Sequence, residues 1–192
     1  MKRAFYFLFA ALTISVLMLS ACKEAKRIEK SIDNGGPDVS KPFYLQFKSN
    51  ADIWFTFETD DPDITGMGTD YIYNTWTISG DNAIIKIQED HTLNASNIKD
   101  LKGKSYQVGG LPSAPVKADI ILYLTGDGNY NTWDATQTTS DMKIDNVISD
   151  GKVDGKNSFI VKGHFNCTVL DVSAGKQMVL TDGVFSLRFV EQ

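Results

Sequence analysis

The sequence predicts an all-β fold: one domain of antiparallel strands in two sheets packed as a sandwich. A closed, lipocalin-like β-barrel is the alternative arrangement of the same strands. Three observations predict this class. From Pro42 onward, apolar and polar residues alternate with period two, the pattern of half-buried strands. The alternating runs are punctuated by Gly80-Asp81, Asp150-Gly151, Asp154-Gly155, Ala174-Gly175 and Asp182-Gly183, residue types that suit hairpin turns. Helical periodicity is confined to one or two turns around residues 95–101.

Taken in order, the first strand sets Phe43, Leu45 and Phe47 on one face against Tyr44, Gln46 and Lys48 on the other. The second sets Ile53, Phe55 and Phe57 against Trp54, Thr56 and Glu58. Shorter alternating runs predict strands over 70–78, 83–88, 104–108, 119–125 and 142–148. The long run 158–170 places Phe159, Val161, Phe165, Cys167 and Val169 on a common face. Two closing strands, 177–181 and 184–190, are expected to flank a turn at Asp182-Gly183. Many strands with almost no helix leave a sandwich or a barrel as the architecture. One short echo, Tyr73-Asn74-Thr75-Trp76 and Tyr130-Asn131-Thr132-Trp133, has dissimilar flanks and reads as two aromatic strand ends, not a duplication.

The N-terminus has a different character. Lys2 and Arg3 precede a mainly apolar stretch over 4–19, which ends in Ser20-Ala21-Cys22. This pattern resembles a bacterial lipoprotein signal peptide with its lipobox. The resemblance implies cleavage between Ala21 and Cys22, and acylation of the Cys22 sulfur and of the new amine. Two or three acyl chains, each gaining about 0.8 kcal/mol per buried methylene, make a permanent anchor. A transmembrane helix fits less well, because the run falls short of the roughly 20 residues of a bilayer span. The chain therefore divides into a signal peptide (1–21), a lipidated cysteine with a flexible tether (22–41) and an all-β domain (42–192). The tether combines Lys23-Glu24-Ala25-Lys26-Arg27 with Asn34-Gly35-Gly36-Pro37, which disfavours regular structure. Charged residues just after Cys22 also resemble the surface-export signals of Bacteroidota lipoproteins.

Composition narrows the function. The formal net charge of -5 becomes -7 once Lys2 and Arg3 are removed. No basic block suggests nucleic acid, and no basic amphipathic helix suggests a peripheral membrane contact. With Cys22 acylated, Cys167 is the remaining cysteine, so no disulfide can form within the mature chain. Stability must come from packing.

A second pattern covers most of 42–192. Gly103-Lys104-Ser105-Tyr106 is followed by Ile160-Val161-Lys162-Gly163-His164-Phe165, Ala174-Gly175-Lys176 and Thr181-Asp182-Gly183-Val184-Phe185. This order resembles a group of small Bacteroidota outer-membrane lipoproteins of uncharacterised function. The resemblance implies an all-β domain at the outer membrane and carries over no catalytic residue. Gly163 and Gly183 mark places where a bulge or a close backbone approach interrupts a strand.

Candidate chemistry is sparse. His91 and His164 are the two histidines, and neither belongs to a zinc or nucleophile motif. Cys167 lies on an apolar face and reads as an inert core thiol. Asp60, Asp61 and Asp63, near Glu58 and Asp70 and close to Gly66 and Gly68, offer hard oxygen ligands on a turn, as calcium requires. Calcium is the one cofactor the residues suggest, and the spacing is not that of an EF-hand. Aromatics on outward or ambiguous strand faces include Trp54, Tyr71, Tyr73, Tyr123, Tyr130 and Trp133. Among these and Trp76, the ligand-binding candidates are Tyr73, Trp76, Tyr130 and Trp133, whose rings could stack on sugars beside Asn and Thr. The expectation is a non-catalytic, lipid-anchored envelope module that binds a polysaccharide or an envelope protein. The alternatives are a hydrolase with dispersed carboxylates and a barrel holding a hydrophobic ligand.

Overall fold

A strand with one apolar face is stable only when that face is covered, and here ten strands cover one another. The computed structural model describes residues 38–64, 69–109, 117–137 and 140–192. Within it, Val39–Gln192 form one compact unit. The strands are β1 (Phe43–Ser49), β2 (Trp54–Thr59), β3 (Tyr71–Ile78), β4 (Asp81–Gln88), β5 (Ser105–Val108), β6 (Lys117–Leu124), β7 (Gly128–Asn131), β8 (Asp141–Val153), β9 (Lys156–Asp171) and β10 (Lys176–Val190). Between β4 and β5 lies a single 3-10 turn, Ile98–Leu101, whose Ile98 and Leu101 are buried. The described residues form an all-β fold, as the alternation predicts.

The hydrogen-bonded order is β2-β1-β10-β9-β8-β5-β6-β4-β3, with β7 beside the path and pairing with both β6 and β9. This ladder doubles over as a sandwich-type fold, so its two layers are halves of one continuous sheet. Leu45 and Phe47 of β1, Ile85 and Ile87 of β4, Ile120 and Leu122 of β6, and Phe185 and Leu187 of β10 belong to the core between them. The two ends of the ladder also approach. Asp63, just beyond β2, and Thr75 of β3 exchange backbone hydrogen bonds of 3.1 and 2.9 Å. The buried Asn74 carboxamide donates to the Arg188 carbonyl and accepts from the Arg188 N–H, both at 2.8 Å. β1 pairs with β10 only as far as Ser186, so Asn74 supplies the bonds that a neighbouring strand would make at Arg188.

Several details differ from the sequence expectation. The pairing is not wholly antiparallel, because Gln107 and Val108 of β5 run parallel to Lys117 and Ala118 of β6. Alternation fixes which face a residue takes but not the direction of the neighbouring strand. The expected strands 177–181 and 184–190 are one strand, β10, whose register against β9 shifts between Leu180 and Gly183. Asp150-Gly151 likewise sits at a register shift inside β8. The turn from β8 to β9 is Asp154-Gly155, both at positive φ (52° and 82°), as a two-residue hairpin requires.

The two glycines singled out in the sequence form a reciprocal pair. Gly183 faces Phe165 across β10 and β9, and Phe185 faces Gly163. Each phenyl ring lies over the other strand's glycine, and the two ring centroids are 6.4 Å apart. A Cβ at Gly163 would overlap the Lys143 carbonyl oxygen and the Phe185 ring. The repeated Gly-x-Phe pattern is therefore a packing device.

Candidate binding face

β3, β4, β6 and β7 lie side by side, and their inward residues Ile72, Trp76, Ala83, Ile85, Ala118, Ile120, Leu122 and Tyr130 are buried. Alternation then assigns the residues between them to the outer face. One cross-strand row runs Thr77, Asn82, Tyr123, Asn129, each directly opposite the next. Thr77, Tyr123 and Asn129 are exposed, and Asn82 is half-buried. The Thr77 hydroxyl donates to the Asn82 side-chain oxygen at 2.6 Å, which fixes the carboxamide's orientation. The next row is Thr75, Ile84, Ile121 and Asn131, and beyond it lie Tyr73 and Lys86, both half-buried, and Asp119, which is buried. The Lys86 ammonium sits 4.6 Å from the centroid of the Tyr71 ring, covering it with the protein's own cation.

Trp133 stands at the margin of this face and is 60% exposed. Its bend is firmly held. The Asn131 side-chain oxygen accepts the Asp134 N–H at 3.0 Å. The Gln137 carboxamide donates to the carbonyls of Thr132 and Thr168, at 3.3 and 2.8 Å, and accepts the Thr168 N–H at 2.9 Å. A large indole left in water on a pinned bend adds nothing to the core, which makes it a recognition candidate.

Of the four residues expected to bind ligand, Tyr73 and Trp133 remain available. Trp76 and Tyr130 do not. Both are buried, 1% and 0% exposed, on the inner row Trp76, Ala83, Leu122, Tyr130. The echoed tetrapeptides therefore occupy the sheet in opposite phase, one pointing its Trp inward and the other its Tyr. Thr77, Asn82 and Asn129 were not expected in the site. Their grouping depends on strand order, for which the sequence holds no local signal. Tyr123 was visible as an outward aromatic.

Two of the three calcium candidates already have basic partners. Asp60 pairs with Lys41, Asp61 pairs with Arg188, and Asp63 is exposed beyond β2 at its backbone bridge to Thr75. Lysine and arginine at two of the three carboxylates oppose a cation there. Among the described residues, the acidic groups that converge are Glu89 and Asp90 with His91, whose ligand atoms lie within 4.8 Å of one another. Even so, the buried Glu89 carboxylate already accepts from the Tyr106 hydroxyl at 2.6 Å and from the Lys104 ammonium at 2.8 Å. Burial, reinforced by the bond to Glu89, pushes the Tyr106 phenol well above its ordinary range. Across the same cluster, the hydrogen bond from His91, 2.7 Å away, holds the exposed Asp90 carboxyl below its ordinary value. This arrangement braces β4 against β5.

Burial also pushes the Cys167 thiol far up, so it carries no nucleophilic thiolate at neutral pH. Ala21 and Cys22 lie outside the described residues. Among the described residues, the outer face of β3, β4, β6 and β7 sets aromatic rings beside amides and hydroxyls. The chain matches no family model, no curated protein and no solved structure with which it was compared.

Proposed function

We propose that this protein is a lipid-anchored component of the outer membrane whose β-domain is a non-catalytic binding module for polysaccharide. The observation that carries the reading is the outer face of β3, β4, β6 and β7, with Tyr73, Tyr123 and three asparagines, and Trp133 at its margin. Sugar rings have apolar faces that stack on such side chains, while carboxamides donate to and accept from the hydroxyls. The lipobox pattern at Cys22 and the tether up to residue 41 support display from the membrane, possible on either side of it. The test is electrophoresis of residues 39–192 through native gels cast with a panel of polysaccharides. Retardation by at least one polysaccharide, weakened by substituting an aromatic of this face or its margin (Tyr123→Ala, Tyr73→Ala or Trp133→Ala), is the expected result. Mobility unchanged across the panel overturns the polysaccharide reading in favour of an envelope-protein partner.

A further inference from the structure

We infer that the polysaccharide this face takes is an uncharged chain that crosses the strands and stacks on Tyr123. The inference rests on the binding-module reading and names the ligand class for that same face. Its first support is the grading of charge over the face. The row Thr77, Asn82, Tyr123, Asn129 contains no side chain that is charged at neutral pH. The charged residues Lys86 and Asp119 share a row with Tyr73, two rows away. An anionic glycan on the Tyr123 row would lose water from its carboxylates or sulfates with no cation in that row to receive them. A neutral glycan meets amides and a hydroxyl, which can replace the water on its own hydroxyls.

The second support is which ring is open. Tyr71 is occupied by the Lys86 ammonium at 4.6 Å, and Tyr73 is half-buried. Tyr123 is 41% exposed and flanked on both sides by asparagines, Asn82 and Asn129. A ring between two carboxamides can take stacking from a sugar face and hydrogen bonds at its edges together. The Asn129 end of the row is itself fixed, because the Asp171 carboxylate accepts the Asn129 backbone N–H at 3.2 Å. Four adjacent strands at about 4.8 Å spacing give the row a span of about 14 Å. That length favours an oligosaccharide segment over a single sugar.

The test uses the full chain purified in detergent, titrated calorimetrically with neutral probes (mannan, xylan, a β-glucan, soluble starch) and anionic ones (alginate, polygalacturonate, chondroitin sulfate). A neutral probe is expected to bind with little change between low and high salt, and its monosaccharide is expected to compete poorly. Tyr123→Ala should weaken that binding about tenfold, the effect of truncating a central aromatic contact. Tyr123→Phe keeps the ring and should bind like the native chain, which separates lost stacking from a fold defect. Binding of anionic probes only, or neutral binding that survives Tyr123→Ala but is lost in Trp133→Ala, overturns this inference and leaves the binding-module reading standing. Absence of binding to every probe overturns both.

Discussion

A Cβ built on Gly183 would lie 2.5 Å from the Phe165 ring, well inside contact distance. At Gly163 the obstruction includes a backbone carbonyl, which cannot turn aside as a side chain can. Neither glycine is there for its φ angle; both are there for space. Overpacking of this kind costs about 1–3 kcal/mol, and in a domain of this size each kcal/mol lowers Tm by about 2–4 °C. Gly183→Ala and Gly163→Ala should therefore both lower Tm in a thermal melt, Gly163→Ala by the larger amount. An unchanged Tm for both would mean that the rings, and at Gly163 the Lys143 backbone as well, have room to move. At this scale much was legible. Period two placed Phe43, Leu45, Phe47, Phe165, Cys167 and Val169 in the core, where they are found. The misreading of Trp76 and Tyr130 came from composition: polar neighbours suggested a recognition motif, while the phase of the strand turned both rings inward.

Elements were legible where alternation ran long and failed where turn chemistry was ambiguous. Asp154-Gly155 and Asp182-Gly183 look alike, and Asp154 and Asp182 both adopt positive φ (52° and 53°). One is a hairpin turn and the other lies at the register shift of an unbroken strand, since both need a residue that tolerates left-handed backbone. β7 was read only as an aromatic strand end at Tyr130-Asn131, because Gly-Asn-Tyr-Asn is polar and short. What holds β7's turn in place is a residue of β9. The Asp171 carboxylate accepts from the Ser173 hydroxyl at 2.6 Å and from the N–H groups of Ser173, Ala174 and Asn129 at 2.9, 3.2 and 3.2 Å. The Ser173 hydroxyl, followed by these backbone donors, holds its pKa below the ordinary aspartate value. A depressed folded-state pKa contributes stability that is present above the ordinary aspartate range and is lost as pH falls through the folded value. Asp171→Asn should therefore lower Tm at pH 7, and the gap to the native chain should close below about pH 4. Melts of both proteins from pH 7 to pH 3 check this; a gap constant with pH would assign the effect to shape alone.

At the scale of the whole molecule, the sequence supports the class but not the connections. Nothing in residues 71–78 announces that Asn74 will bond the backbone of Arg188, 114 positions away. That contact and the bridge of Asp63 to Thr75 bring the ends of the ladder together, and they rest on shape that only the assembled fold defines. Both contacts lie within the compact unit Val39–Gln192. If residues 1–21 are a lipoprotein signal, the anchor and the fold are separable. Two variants divide these contributions. Cys22→Ser in the full chain removes the sulfur to which an acyl chain would attach, so metabolic labelling with a radioactive fatty acid should fall to background and the precursor should accumulate. A chain starting at residue 39 should be water-soluble, with a β-type far-ultraviolet spectrum and the same melt as the detergent-solubilised full chain. Fatty-acid labelling that persists in Cys22→Ser would remove the anchor from the proposal while leaving the binding face untouched. A short chain that aggregates or melts much earlier would show that the segment before residue 39 contributes to the fold, and the division at the tether would be wrong.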